Sequence, residues 1–156
     1  MQLTDYLIDH AGQDFAAMLK AWHWLLPTTL IVWFVNRFGE FILVLDDGSI
    51  HHLDIGAGTL NRIANSRDHF CHLIDENGNA NEWLMVPLVD ECVASSLTLS
   101  PGQCYAFRVL PVFGGEFKID NVMFSKLHGY VEFAGLVHEQ IRNLPDGSSV
   151  ELVVTP

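Results

Sequence analysis

Three short apolar runs, separated by glycine-containing turns, constrain the fold most strongly. They lie at residues 30–35, 41–45 and 50–55. All three are rich in β-branched and aromatic side chains, which favour β-strands. Gly39 separates the first two runs, and the turn Asp46-Asp47-Gly48 precedes the third. The sequence therefore predicts an antiparallel meander over about residues 29–55.

The rest of the chain predicts helices around this sheet, with further strands at about residues 103–121. The second of these strands is expected to begin near Phe117. Apolar residues recur every three or four positions over about residues 125–143, which predicts a long C-terminal helix with Ser125 as its N-cap. Shorter helices are expected at 15–26, 66–74 and 81–96, the last kinked or restarted at Pro87, and an edge strand at 150–153.

These elements define an α+β fold, a mostly antiparallel sheet with flanking helices. A chain of 156 residues is long enough for one hydrophobic core and leaves little for a second. Hydrophobic residues make up 49% of the chain and charged residues only 17%, so disorder is excluded as its main state. We expect a single domain over residues 1–156.

The charge balance is strongly acidic. The chain has 8 Lys and Arg residues against 19 Asp and Glu, a net charge of −11. A phosphate backbone requires a basic face, so general nucleic-acid binding is excluded. An acidic domain can instead steer basic partners toward itself.

The sequence also predicts a cytoplasmic protein that is not inserted in a membrane. Its longest apolar run, residues 30–35, is far shorter than the roughly 20 residues that span a bilayer. The N-terminal residues lack a basic stretch followed by an apolar one, so no signal peptide is expected. Three widely spaced cysteines suit a reducing compartment.

No metal site is expected. His51 and His52 are neighbours on a strand and point to opposite faces, so they cannot bind one ion together. His69 and His72 could share a helix face, but the sequence offers no matching second pair.

Candidates for catalysis or anion binding are equally sparse. Cys104 could pair in space with a histidine, although a lone thiol that opens a strand is more typical of a small buried hydrophobe. Gly56-x-Gly58, ahead of an expected short helix at residues 60–64, resembles a phosphate-binding turn only weakly. We expect no catalytic residues and no cofactor.

The order of several motifs resembles a known family. The motifs are Trp33-Phe34-Val35-Asn36-Arg37-Phe38-Gly39-Glu40-Phe41, Asp47-Gly48-Ser49-Ile50, Pro101-Gly102-Gln103-Cys104-Tyr105, Gly114-Gly115-Glu116-Phe117 and His138-Glu139-Gln140-Ile141. Over about residues 22–144 the chain resembles the C-terminal domain of bacterial immunity proteins that neutralise type VI secretion DNase effectors. The resemblance implies an inhibitor without enzymatic activity, whose partner is a cognate protein toxin with a basic active cleft.

Candidate partner-binding residues follow from predicted loop positions and from charge. Seven carboxylates lie at or near predicted loop ends, where partner-facing residues are favoured: Asp46, Asp47, Asp54, Asp75, Glu76, Glu116 and Asp120. Trp24 lies off the apolar stripe of its helix, so we expect it to be exposed as an interface anchor. The sequence leaves the oligomeric state open.

Two other functions compete with toxin inhibition. One is a hydrolase-like domain that uses Cys104 with one of the chain's eight histidines. The other is a small-molecule-binding domain whose pocket is lined by Trp and Phe side chains.

Overall fold

The computed structural model describes residues 2–151 and has the predicted α+β fold. Four antiparallel strands form the main sheet in sequence order: β1 (Leu30–Val35), β2 (Phe41–Leu45), β3 (Ile50–Asp54) and β4 (Thr59–Ala64). A second antiparallel sheet contains β5 (Gln103–Phe107) and β6 (Val122–Lys126). The helices are α1 (Phe15–Leu19), α2 (Arg67–Leu73), α3 (Asn79–Trp83), α4 (Val86–Ala94) and α5 (Leu127–Ile141).

The meander is confirmed, but the helix expected at residues 60–64 is wrong. These residues belong to β4, which pairs with β3 so that Leu60 lies opposite Leu53. Gly58 makes the tight connection with a positive φ of 74°, and its N–H donates to the carbonyl of Asp54 at 2.8 Å. The glycines therefore build a tight turn between strands and do not precede a helix.

The second sheet is confirmed, with its last strand later than expected. β6 begins at Val122, because residues 109–121 form a loop that the side chain of Asn121 holds through Val109. The C-terminal helix follows directly at Leu127. Ser125 lies inside β6, so its predicted capping role is wrong, and Lys126 occupies the N-cap position without a side-chain cap.

The shorter helices differ from prediction mainly in their lengths. α1 ends at Leu19 and continues as the 3-10 turn Lys20–Trp22. The expected restart near Pro87 is confirmed, since α3 and α4 are separate and Pro87 lies in the first turn of α4. Of the edge strand expected at 150–153, residues 150 and 151 are not in a strand and the other two lie outside the described residues.

The main core lies between the β1–β4 sheet, β5 and α5, and Trp22 anchors α5 to it. Trp22 is fully buried, and its indole N–H donates to the carbonyl of Val131 at 2.9 Å. Gly135, one helical turn later, faces the backbone of Ala21 so closely that an added Cβ would lie 2.7 Å from the Ala21 oxygen. This glycine allows the helix to approach the 3-10 turn.

Among the helices in the described part of the chain, none has both the length and the apolar character needed to cross a membrane.

Gly135→Ala should destabilise the protein, because the new methyl group has to displace the Ala21 backbone or the Trp22 indole. We expect a loss of about 1–3 kcal/mol, typical of overpacking in a close-packed core. Urea unfolding of wild type and variant measures it.

Gly129→Ala is the matched control on the same helix, since no atom lies within 4 Å of its added Cβ. It should be neutral or stabilising by about 0.5 kcal/mol, because alanine favours helix more than glycine does. Equal destabilisation by both variants would contradict the close approach at Gly135.

Candidate partner-binding face

The carboxylates are unevenly distributed along the chain. Between Arg67 and Arg108 the sequence contains no Lys or Arg but six exposed carboxylates: Asp68, Asp75, Glu76, Glu82, Asp90 and Glu91. We call residues 68–94, which run from α2 to the end of α4, the acidic segment. Among the described residues, none of the five ion pairs involves a carboxylate of this segment. Its negative charge is therefore left for an external cation.

A shallow apolar groove borders the acidic segment. It has a volume of about 190 Å³ and is lined by Asn81, Met85, Pro87, Leu88, Glu91 and Phe117. Phe117 is 59% exposed, and its ring lies edge-on to that of Phe107, with the two ring centres 5.2 Å apart. The groove thus places an exposed aromatic ring beside the Glu91 carboxylate, a combination that suits a protein partner.

The loop that carries Phe117 is rigidly held. The amide of Asn121 accepts from the N–H of Val109 at 2.9 Å and donates to the carbonyls of Val109 and Glu116 at 2.9 and 3.0 Å. Gly115 packs so tightly that an added Cβ would lie 1.7 Å from the Val109 oxygen. The Gly-Gly motif therefore serves this close backbone contact and positions Phe117.

A buried amide connects the acidic segment to the main sheet. Asn36, fully buried in the β1–β2 connection, accepts from the N–H groups of Phe38 and Glu40 at 2.9 and 3.0 Å. Its amide nitrogen donates to Glu40 Oε1 at 2.9 Å and to the carbonyl of Trp83 at 3.0 Å. Trp83 ends α3, so this amide fixes the acidic segment relative to the meander.

Glu40 and His52 form a buried pair in the same network, with His52 Nε2 3.2 Å from Glu40 Oε1. Burial raises the pKa of Glu40 more than its hydrogen bonds to His52 and Asn36 lower it. Burial alone lowers the pKa of His52, but the hydrogen bond and charge of Glu40, together with Asp54 and Glu82, outweigh burial and raise it. Both groups therefore hold protons more tightly in the folded protein than in the unfolded chain.

The predicted partner-binding carboxylates fall into two groups. Asp75 and Glu76 lie in the acidic segment, between α2 and α3. Glu116 belongs to the loop that carries Phe117, and Asp120 to a 3-10 turn that contacts α4.

The other three lie at the ends of the main sheet. Asp46 and Asp47 form the β2–β3 turn, whereas Asp54 precedes the β3–β4 turn at the opposite end. The hydrogen bonds from Ser49 lower the pKa of Asp47, which also lies 3.7 Å from Arg62. Asp54 accepts from the N–H of Ala57 at 3.0 Å. Asp47 and Asp54 thus have structural partners within the chain.

Trp24 is half-buried and has structural partners on α5. Its indole N–H lies 3.1 Å from the carbonyl of Ala21 and 3.2 Å from that of Gly135. The ring stacks on Trp22, and the guanidinium of Arg142 lies over the Trp24 ring, 5.5 Å from its centre. The exposure expected from its position in the sequence is not found.

Four acidic side chains of the face were missed by reasoning from loop positions, and all four lie on helices: Asp68, Glu82, Asp90 and Glu91. The signal that could have found them is the long interval without a Lys or Arg. Phe117 was missed as well, because it was assigned to a strand.

The described histidines and cysteines offer no metal-binding group, and the thiol of Cys104 is unreactive. No group of three or more His, Cys, Asp or Glu within residues 2–151 could hold a metal ion. Cys104 is fully buried, and burial raises the pKa of its thiol to about 12. A thiol with that pKa is protonated at neutral pH, so Cys104 is a poor nucleophile.

The fold and this face describe an α+β domain suited to binding a macromolecule. Residues 64–138, just under half of the chain, match the family described as T6SS immunity protein Tdi1, C-terminal. The resemblance to type VI immunity domains is thereby confirmed for this part of the chain. It supports an immunity-type role in type VI secretion, and the matched residues include the whole acidic segment and the Phe117 loop.

One solved structure supports the fold itself. The crystal structure of Atu4351 from Agrobacterium tumefaciens aligns with a TM-score of 0.50 and 14% identity, over 78% of this chain and 62% of that chain. At this identity the likeness concerns the fold alone. No curated protein sequence matches the chain significantly.

The buried pair should make stability depend on pH in a defined direction. Because both folded-state pKa values lie above the unfolded values, the stabilisation is complete below those values and is lost as the pH rises through the folded ones. Each unit of difference contributes about 1.4 kcal/mol. We expect the contribution of the pair to the free energy of unfolding to fall as the pH rises above about 4.5 for Glu40 and above about 6.5 for His52, the ordinary pKa values of these groups. With rising pH the variant Glu40→Gln/His52→Gln should therefore lose less stability than wild type.

The control is the exposed pair of α5, in which His128 Nε2 lies 3.0 Å from Glu132 Oε2. The variant His128→Gln/Glu132→Gln should follow the wild-type pH profile closely, since solvent screens an exposed pair. Urea unfolding at several pH values measures all three proteins. Identical slopes for wild type and the Glu40/His52 variant would refute the assignment.

Proposed function

We propose that this protein is the immunity protein of a type VI secretion toxin, which it binds and neutralises, and that the toxin is a nuclease with a basic active cleft. The observation that carries the proposal is the acidic segment, with its six carboxylates and no internal cation, inside the region that matches an immunity family. A nuclease cleft that holds a phosphate backbone is basic, so such a surface can compete for it.

Within this proposal, the contact surface is the acidic segment together with the groove beside Phe117. Four of the predicted residues belong to this side: Asp75, Glu76, Glu116 and Asp120. Phe117 supplies an apolar anchor, and the surrounding carboxylates supply long-range attraction and orientation. Glu116 already pairs with Lys118 at 3.0 Å, so it contributes less free charge than the others.

The proposed inhibitor would act in the cytoplasm and needs no cofactor, since occupation of the cleft is sufficient to exclude the substrate. A hydrolase built on Cys104 draws no support from its buried, protonated thiol. The small-molecule alternative draws support from one cavity of about 540 Å³, whose lining includes Phe107, Phe113, Tyr130 and Phe133.

The proposal is tested with the toxin candidate encoded next to this gene. Co-expression should restore growth of cells that produce the toxin, and the purified proteins should form a complex. The variant Asp75→Asn/Glu76→Gln/Glu91→Gln should lower the association rate by about tenfold at low salt, because it removes steering charge. Stopped-flow measurements at several salt concentrations give the rate and its salt dependence.

The matched control removes the same amount of charge elsewhere, in the variant Asp46→Asn/Glu132→Gln/Glu139→Gln. Its association rate should stay within about twofold of wild type, because distant charges are screened. Equal losses in both variants would show that net charge alone matters and would reject the assigned face. Absence of both complex and growth rescue would reject the function itself.

A further inference from the structure

β6 is an open edge of its sheet. The second sheet contains only β5 and β6, and among the described residues no strand pairs with the outer side of β6. The direction of its backbone groups follows from the hydrogen bond of the Arg108 N–H to the carbonyl of Asn121 and from the strand register. Because bonding alternates in an antiparallel pair, Met123 and Ser125 bond to β5, whereas the N–H and C=O groups of Phe124 and the C=O of Val122 point outward. The N–H of Val122 donates within the chain, to the carbonyl of Ile119.

Apolar side chains and cavities flank this edge on both faces. Phe124 is 44% exposed and Met123 37% exposed. On one face, a cavity of about 540 Å³ lies between β6 and α5, next to Met123 and Phe133. On the other face, a cavity of about 160 Å³ lies beside Tyr105, Val122 and Phe124. An added strand would therefore gain main-chain hydrogen bonds and apolar contacts on both of its faces.

The charges at the ends of β6 are complementary to those of a second, antiparallel copy. Asp120 precedes the strand by two residues, and Lys126 is its last residue. Both are exposed, and neither belongs to an ion pair of the described residues. An antiparallel two-fold arrangement brings the positive end of each strand to the negative end of the other.

We propose that two copies of this chain associate through antiparallel pairing of their β6 edges. In this register Val122 lies opposite Phe124 of the second copy, and Lys126 lies opposite Asp120 of the second copy. The N–H of Phe124 in each copy donates to the C=O of Val122 in the other, the exposed Phe124 rings are covered, and a continuous four-stranded sheet forms.

The charge around β6 is nearly balanced and permits this contact, although the chain as a whole is strongly acidic. Residues 101–131 contain Arg108, Lys118 and Lys126 against Glu116 and Asp120, whereas the chain as a whole carries −11. Two copies therefore meet where the local charge is close to balanced. A basic toxin is attracted mainly to the acidic segment, and Asp120 is the residue that the two proposed surfaces share.

The other sheet edges are less suited to pairing. The N–H of Ile8 donates to the carbonyl of Val35 at 2.8 Å, and Leu7 bridges Asn36, so the N-terminal residues cover part of the β1 edge. β4 exposes Thr59, Asn61 and Arg62, which are polar or charged. Charged and polar side chains are a common protection of edge strands.

Sedimentation velocity on the full chain tests the proposal, and wild type should reach twice the monomer mass in the micromolar range. Phe124→Pro should shift it to monomer, because proline removes an outward N–H that β5 does not use. Asp120→Lys and Lys126→Asp should each weaken the dimer by about tenfold through like charges, and the double variant Asp120→Lys/Lys126→Asp should restore it.

Far-UV circular dichroism and thermal unfolding establish that each variant is folded. A wild-type chain that stays monomeric throughout the micromolar range overturns the proposal, and toxin binding lost in Phe124→Pro would then assign the edge to the toxin. A dimer that Phe124→Pro leaves unchanged also overturns it. Failure of the double variant to recover the affinity of wild type overturns the register.

Discussion

One buried side-chain amide, that of Asn36, holds together the two parts of the molecule on which the proposed function depends. It closes the β1–β2 connection through two backbone N–H groups and reaches Glu40 and the end of α3 with its own nitrogen. A buried polar group is costly unless all its hydrogen bonds are made, so this geometry has little freedom. The acidic segment is thereby presented from a rigid base.

The surface that results separates charge from apolar contact. The helices carry carboxylates that form no ion pair with residues 2–151, while the neighbouring loop, fixed by Asn121 and Gly115, carries an exposed aromatic ring. Long-range charge raises the association rate of a partner, and a desolvated aromatic ring lowers its dissociation rate. The match of residues 64–138 to an immunity family agrees with a surface of this kind.

The fold could be predicted from sequence wherever local signals decide it. The meander follows from three apolar runs separated by glycine-containing turns, and α5 follows from apolar residues that recur every three or four positions. The local signals failed where contacts between residues distant in sequence determine the structure. Residues 60–64 form a strand because they pair with β3. β6 begins only at Val122 because the Asn121 side chain bonds to Val109 and holds the preceding residues in a loop. For the same reason Trp24 was expected to be exposed, although its indole N–H donates to the carbonyl of Gly135 on α5. Part of the candidate face could be predicted from sequence. Loop positions indicated Asp75 and Glu76, but the carboxylates on helices are indicated only by the long interval without Lys or Arg.

The unpaired carboxylates of α2 to α4 have a consequence for the protein when it is alone. Like charges held on one rigid surface repel one another, and in the free state only water and salt relieve that strain. Binding a cationic surface removes this repulsion. On the proposed function, the residues that attract the toxin therefore make the unbound protein less stable than the complex. Toxin binding would then stabilise the folded protein and lengthen its lifetime in the cell. The amount of the inhibitor would follow the amount of toxin without a separate regulator.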